Sequence, residues 1–127
     1  MRKYLLSALL ALPLPALADP AMECSDTGSQ IALRDCLKGD QICANAALSQ
    51  ALGYAREAAA DLDDTTGRQS AGPALEAAQQ SWEAFRDAHC DFVGATFGGG
   101  SGTGIAILSC RISLTRGRVE ALMDHAG

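Results

Sequence analysis

The stretch Gln79-Gln80-Ser81-Trp82-Glu83-Ala84-Phe85-Arg86-Asp87-Ala88-His89-Cys90-Asp91-Phe92 decides how this chain is read. It holds the only Trp, two of the three Phe, one of the two His and one of the five Cys. At helical period Leu75, Ala78, Trp82, Phe85, His89 and Phe92 fall on one face, which predicts a helix with that aromatic stripe turned to the core. Arg86 lies on an adjacent stripe, one turn after Trp82 and one turn before Cys90. Beyond come Gly98-Gly99-Gly100-Ser101-Gly102 and a second apolar run carrying Cys110. Cys90 and Cys110 are equidistant from Gly100. A glycine turn between antiparallel helices would therefore set them face to face.

Working outward, Arg2-Lys3, the apolar run Leu5 to Leu17 and Ala16-Leu17-Ala18 read as a secretory signal, residues 1–18, cleaved near Ala18. The apolar run is shorter than the ~20 residues a spanning helix needs. Glu23 before Cys24 argues against a lipidated cysteine. The mature part, residues 19–127, is expected to be one small domain, secreted or periplasmic. Of ten Lys and Arg, Arg2 and Lys3 fall in the leader, so eight basic residues face fifteen acidic ones, a net −7. Such acidity argues against nucleic acid and suits either plain solubility or a basic protein partner.

No stretch alternates with period two for long enough to argue a strand. The expected fold is all-α, a small antiparallel bundle of three to four helices stapled by disulfides. Asp19 to Thr27 reads as extended, with Ser25 or Asp26 as a helix N-cap. A helix over 28–38 presents Ile31, Leu33 and Leu37. Gly39 then either breaks or bends the chain before a stretch with Leu48, Leu52, Ala55, Ala59 and Leu62 inward. Asp61 to Gly67 reads as a helix end and solvated loop, since the carboxylate a calcium loop needs at position twelve is absent. Gly72-Pro73 opens the helix through Trp82, with Pro73 at its first position. The last helix turns Ile105, Leu108, Ile112, Thr115, Val119 and Leu122 to one side.

Chemistry-bearing patterns are sparse. The glycines at 98–104 lack the Lys and the leading strand of a phosphate loop. No Gly-x-Ser-x-Gly elbow and no facing carboxylate pair stands out. His89 falls on the aromatic stripe and reads as a packed histidine. No C-x-x-C pair occurs, and His89 and His125 lack ligand spacing with the cysteines, so neither a metal nor another cofactor is expected. An enzyme is not expected. Arg86 calls for a carboxylate partner, and with Trp82 and Asp87 it could border a recognition surface.

Five cysteines in a small exported chain point to disulfides with one thiol left over. Cys90–Cys110 across the glycine turn is the first expected bridge. Cys24 can fold back to Cys36 for the second. Cys36–Cys43 would require a sharp break at Gly39, because seven residues of helix rise about 10.5 Å, beyond the ~7 Å a bridge tolerates. Cys43 is left as the odd thiol, able to link a dimer.

Gln79-x-x-Trp82-x-x-Phe85-Arg86-Asp87-x-x-Cys90, then Gly98-Gly99-Gly100-Ser101, Cys110, Thr115, Arg118 and Leu122, resemble the LprI-type lysozyme-inhibitor domain. Cys24 and Cys36 fit that family's early Cys pair. The chain departs from the family's Asp-x-x-Leu-Asn-x-x-Tyr segment, where it has Asn45, Leu48, Ser49 and Leu52, and it adds Cys43. The resemblance implies an exported helical binding protein that inhibits lysozyme or a related peptidoglycan-cleaving enzyme. Its candidate binding residues are Trp82, Phe85, Arg86, Asp87, Gly98, Gly99, Gly100, Ser101 and Arg118. The other reading is a non-inhibitory envelope protein with an unidentified partner. Animal-type lysozymes are basic, so an acidic inhibitor would gain association rate by steering.

Overall fold

The computed structural model describes residues 19–127; the expected leader, 1–18, lies outside the described residues. Among the described residues all regular structure is helical: α1 (Pro20–Glu23), a 3₁₀ turn (Ser25–Thr27), α2 (Gln30–Thr66), α3 (Ala71–Ala95) and α4 (Thr103–Met123). None of these helices is long and apolar enough to cross a membrane. The N-terminal segment is not extended. Asp19 caps α1 through its carboxylate, which accepts from Ala21 N–H at 3.0 Å, and Pro20 takes the first position. The cap of α2 is neither Ser25 nor Asp26 but Ser29, whose Oγ accepts from Ala32 N–H at 3.1 Å.

Gly39 does not break the chain. α2 runs unbroken for 37 residues, about 55 Å, with Gly39 inside it. The helix ends at Gly67, which adopts the left-handed conformation (φ 68°) and returns its N–H to Asp63 C=O. α3 comes back antiparallel, and α4 turns again and packs along both α2 and α3.

Two clusters form the core. The lower one joins Leu48, Ala51, Leu52 and Ala55 of α2 to Leu122, with Leu75, Trp82 and Val119 at its margin. The upper one joins Cys24, Leu37, Ala44 and Ile112, edged by Leu33, Cys36, Ile105 and Leu108. The apolar faces read for α2 and α4 thus largely pack inward. Two members do not: Ile31 and Leu62 face solvent.

The aromatic stripe of α3 is the main correction. Trp82 and Leu75 touch the lower core, yet Phe85 is 55% and Phe92 65% exposed, and His89 is exposed with them. The inward line of α3 is Gln79, Cys90 and Gly94. Successive residues turn by about 100°, so a face centred on Cys90 and Gly94 leaves Phe85 and Phe92 pointing away. Two contacts impose that rotation. Cys90 is bonded to Cys110 of α4, with Cα atoms 5.5 Å apart. At Gly94 the helices approach so closely that a Cβ would lie 2.6 Å from Ile107 Cγ1. The upper core is built from α1, α2 and α4 alone, so nothing remains there to cover the phenylalanines.

Candidate functional site

The residues of the quoted stretch assemble into a polar brace between α3 and α4. Arg118 Nε donates to Gln79 Oε1 at 3.0 Å, and Gln79 Nε2 donates to Glu83 Oε1 at 3.1 Å. Gln79 is buried, so both ends of its amide need these partners. Trp82 stands between two guanidiniums, Arg86 at 5.1 Å and Arg118 at 5.9 Å from the ring centroid. Both lie within cation–π range. Arg86 Nε donates to Asp87 Oδ1 at 3.0 Å. Arg111 of α4 approaches Asp87 at 3.8 Å and Asp91 at 3.7 Å.

The structure therefore brings Trp82, Arg86, Asp87 and Arg118 together, and adds Gln79 and Arg111. The glycine loop sits apart. From Trp82 to the end of α3 at Ala95 the helix rises about 20 Å. Gly98 and Gly99 take positive φ (61° and 78°) to reverse the chain. The loop is also tethered, since Gln30 Nε2 donates to Ser101 Oγ at 3.4 Å. Phe97 folds back over it: a Cβ on Gly102 would lie 3.1 Å from that ring. Phe85 takes no part in the brace; its ring stacks on His89 with centroids 5.3 Å apart, in solvent.

Both expected disulfides are present, Cys24–Cys36 and Cys90–Cys110, and Cys43 is unpaired and exposed. Asp40 Oδ2 lies 3.7 Å from Cys24 Sγ. This acid and two sulfurs converge, but the disulfide leaves no thiolate to ligate a metal. Arg116 binds Glu23 with both terminal nitrogens, at 2.8 and 3.1 Å, and lies 3.8 Å from Asp40. It ties α4 to α1 and α2. A groove of about 470 Å³ between the N-terminal turn and the α3–α4 end is lined by Asp19, Val93, Phe97, Ile105 and Ser109 among others. Its carboxylate is engaged, Asp19 Oδ1 accepting from Ser109 Oγ at 2.7 Å.

Sequence reasoning missed one structural centre. Asp63 was read as a helix end in a solvated loop. It is buried, and its carboxylate caps the next helix: Oδ1 accepts from Ser70 N–H (3.1 Å) and Ala71 N–H (2.9 Å), and Oδ2 from Gly72 N–H (2.9 Å). These bonds, from Gly72 and Ala71 foremost, hold its carboxyl below the usual carboxylate range. The cap also moves the start of α3 two residues ahead of Pro73, so Pro73 is its third residue.

The model of the family described as "Lysozyme inhibitor LprI" matches residues 21–122. The chain is also similar to an uncharacterized protein of Rhizobium meliloti (strain 1021), 31% identical over 125 residues, which cover 94% of this chain and 90% of that protein. No solved structure matches.

Proposed function

The chain belongs to the LprI lysozyme-inhibitor family, and from that premise we propose that it is an exported, non-catalytic binding protein that inhibits a lysozyme or a related peptidoglycan-cleaving enzyme. The observation that carries this reading is the extent of the family match, from the first helical turn to the last core residue of α4. A disulfide-fastened bundle with a net charge of −7 over residues 19–127 supports it, because such a surface attracts a basic enzyme and an oxidising compartment suits the two bridges. The residues expected to carry recognition are those left exposed, Phe85 and the loop Gly98–Ser101. The brace of Trp82, Arg86, Asp87 and Arg118 holds α3 at a fixed rotation behind them. Exposed Cys43 would let two copies link covalently outside the cell.

The test is turnover of peptidoglycan by basic animal-type lysozymes in the presence of the oxidised protein. Dose-dependent inhibition is expected, weakening as salt screens the charge attraction. No inhibition of any of them at micromolar protein would reject the reading.

A further inference from the structure

The outward side of α3 is unlike the outward side of an ordinary surface helix. Phe85, His89 and Phe92 lie one above another over about 10 Å of helix, with His89 stacked on Phe85 and 6.3 Å from Phe92. Both phenylalanines are more than half exposed. The polar groups that would normally cover such a face are turned inward instead. Arg86 lies against Trp82 with 19% of its side chain exposed, and Arg111 is 34% exposed beside Asp87 and Asp91. The carboxylates stay outside: Asp87 is 50% exposed and Asp91 68%. An aromatic ridge is therefore on offer, flanked by Asp87 and Asp91; because these pair through Oδ1 with Arg86 (3.0 Å) and Arg111 (3.8 and 3.7 Å), the acidity that would draw a basic partner is that of the whole chain.

We propose that this ridge is where the basic enzyme of the functional reading docks, with Phe85 and Phe92 as apolar anchors and the Oδ2 atoms of Asp87 and Asp91, outside their pairs with Arg86 and Arg111, meeting lysine or arginine side chains of that partner. The inference rests on the inhibitor reading and adds a place to it. Clustered, rigid aromatics on a fixed helix are the residue type that dominates binding energy at interfaces. His89 holds Phe85 in place before binding, which lowers the ordering cost. The net charge of −7 over residues 19–127 selects the partner. A second copy would bring the same exposed aspartates to the interface in a chain already at −7 over residues 19–127. A basic protein gains from them instead.

The experiment measures inhibition of a panel of basic animal-type lysozymes by the parent and by Phe85→Ser, Phe92→Ser, the double variant and Asp91→Asn. Ile42→Ser, at a side chain of α2 that is 70% exposed, serves as control. Because the substituted side chains face solvent, circular dichroism and melting should match the parent. Each Phe substitution should raise the inhibition constant about tenfold or more, with Ile42→Ser unchanged. Asp91→Asn should slow association and flatten its salt dependence. If the parent inhibits and the double variant inhibits equally well, the ridge is not the docking face and the inhibitor reading stands. If the parent inhibits none of the enzymes, both readings fall. If sedimentation shows a parent dimer that the double variant abolishes, the ridge is a self-interface and the proposal is overturned.

Discussion

Two glycines inside helices should respond in opposite directions to the same substitution. At Gly94 an added Cβ would lie 2.6 and 2.7 Å from Ile107 Cγ1 and Cδ1, against the 3.5–4.0 Å at which carbon atoms rest. Ile107 would have to retreat by about 1 Å, and a β-branched side chain in a helix has one strongly preferred χ1. Overpacking of this kind costs about 1–3 kcal/mol. Gly94 is the penultimate residue of α3, so alanine there returns at most the about 1 kcal/mol of a helix-interior exchange. The net expectation for Gly94→Ala is a loss of about 0–2 kcal/mol, and a larger loss for Gly94→Val. The decisive measurement is a cycle. In an Ile107→Ala background the clash is absent, so Gly94→Ala should become neutral or stabilising by up to about 1 kcal/mol. A coupling of about 1–3 kcal/mol between the two sites follows. Urea unfolding of the four oxidised proteins, followed by circular dichroism, gives all four corners. If Gly94→Ala changes stability equally in both backgrounds, the close approach of α3 and α4 at this level is refuted. The reason given for the rotation of α3 falls with it.

Gly39→Ala should instead stabilise by about 0.5–1 kcal/mol, because no atom lies within 4 Å of the added Cβ and α2 is continuous there; a destabilised variant would point to a break in the helix. Asp63→Ala should lower stability at neutral pH. The native carboxyl is held below its unfolded value near 3.9, so its contribution is full above that value and declines as pH falls through the lower native value. The gap between parent and variant should narrow in acid-titrated melts, and a gap independent of pH would contradict the cap. Removing Cys90–Cys110 by paired Ala substitution should cost about 3 kcal/mol for its separation of 20 residues. Removing Cys24–Cys36, with a separation of 12, should cost slightly less; peptide mapping of the unreduced protein checks both pairings directly.

The all-helical fold was legible because its signals are local. Apolar spacing marked α4 from Ile105 to Leu122 and most of α2 from Leu37 to Ala55, and those residues do pack inward. The bridges were legible because symmetry about Gly100 and a short fold-back left few geometries. The boundaries that failed did so for separate reasons. Asp63 reaches across a turn to open α3, while Ser29 caps α2 locally, because Ser25–Thr27 forms a 3₁₀ turn that ends before α2 begins. Gly39 stayed open between a break and a bend because propensity weighs a glycine alone. Leu37 and Ala44 on either side of it pack into the same cluster as Ile112, and that burial outweighs about 1 kcal/mol of propensity.

The rotation of α3 was the part that periodicity could not settle, and it is the part on which recognition turns. Two faces of that helix compete. One carries Phe85, His89 and Phe92; the other carries Gln79, Arg86, Cys90 and Gly94. Hydrophobicity alone chooses the first. The second wins because three of its members meet a matched group on α4: Gln79 with Arg118, Cys90 with Cys110, Gly94 with Ile107. A covalent bond, a backbone approach that only glycine permits and a satisfied buried amide are pairwise constraints, visible only when both helices are read together. Burying the phenylalanines instead would turn Cys90 away from its partner and leave the Gln79 carbonyl without its Arg118 donor. The helix is held with its aromatics outward by the strongest contacts it makes. An exposed ridge maintained in that way is a fixed surface, and a fixed apolar surface beside exposed carboxylates is suited to meeting a basic protein with little ordering cost.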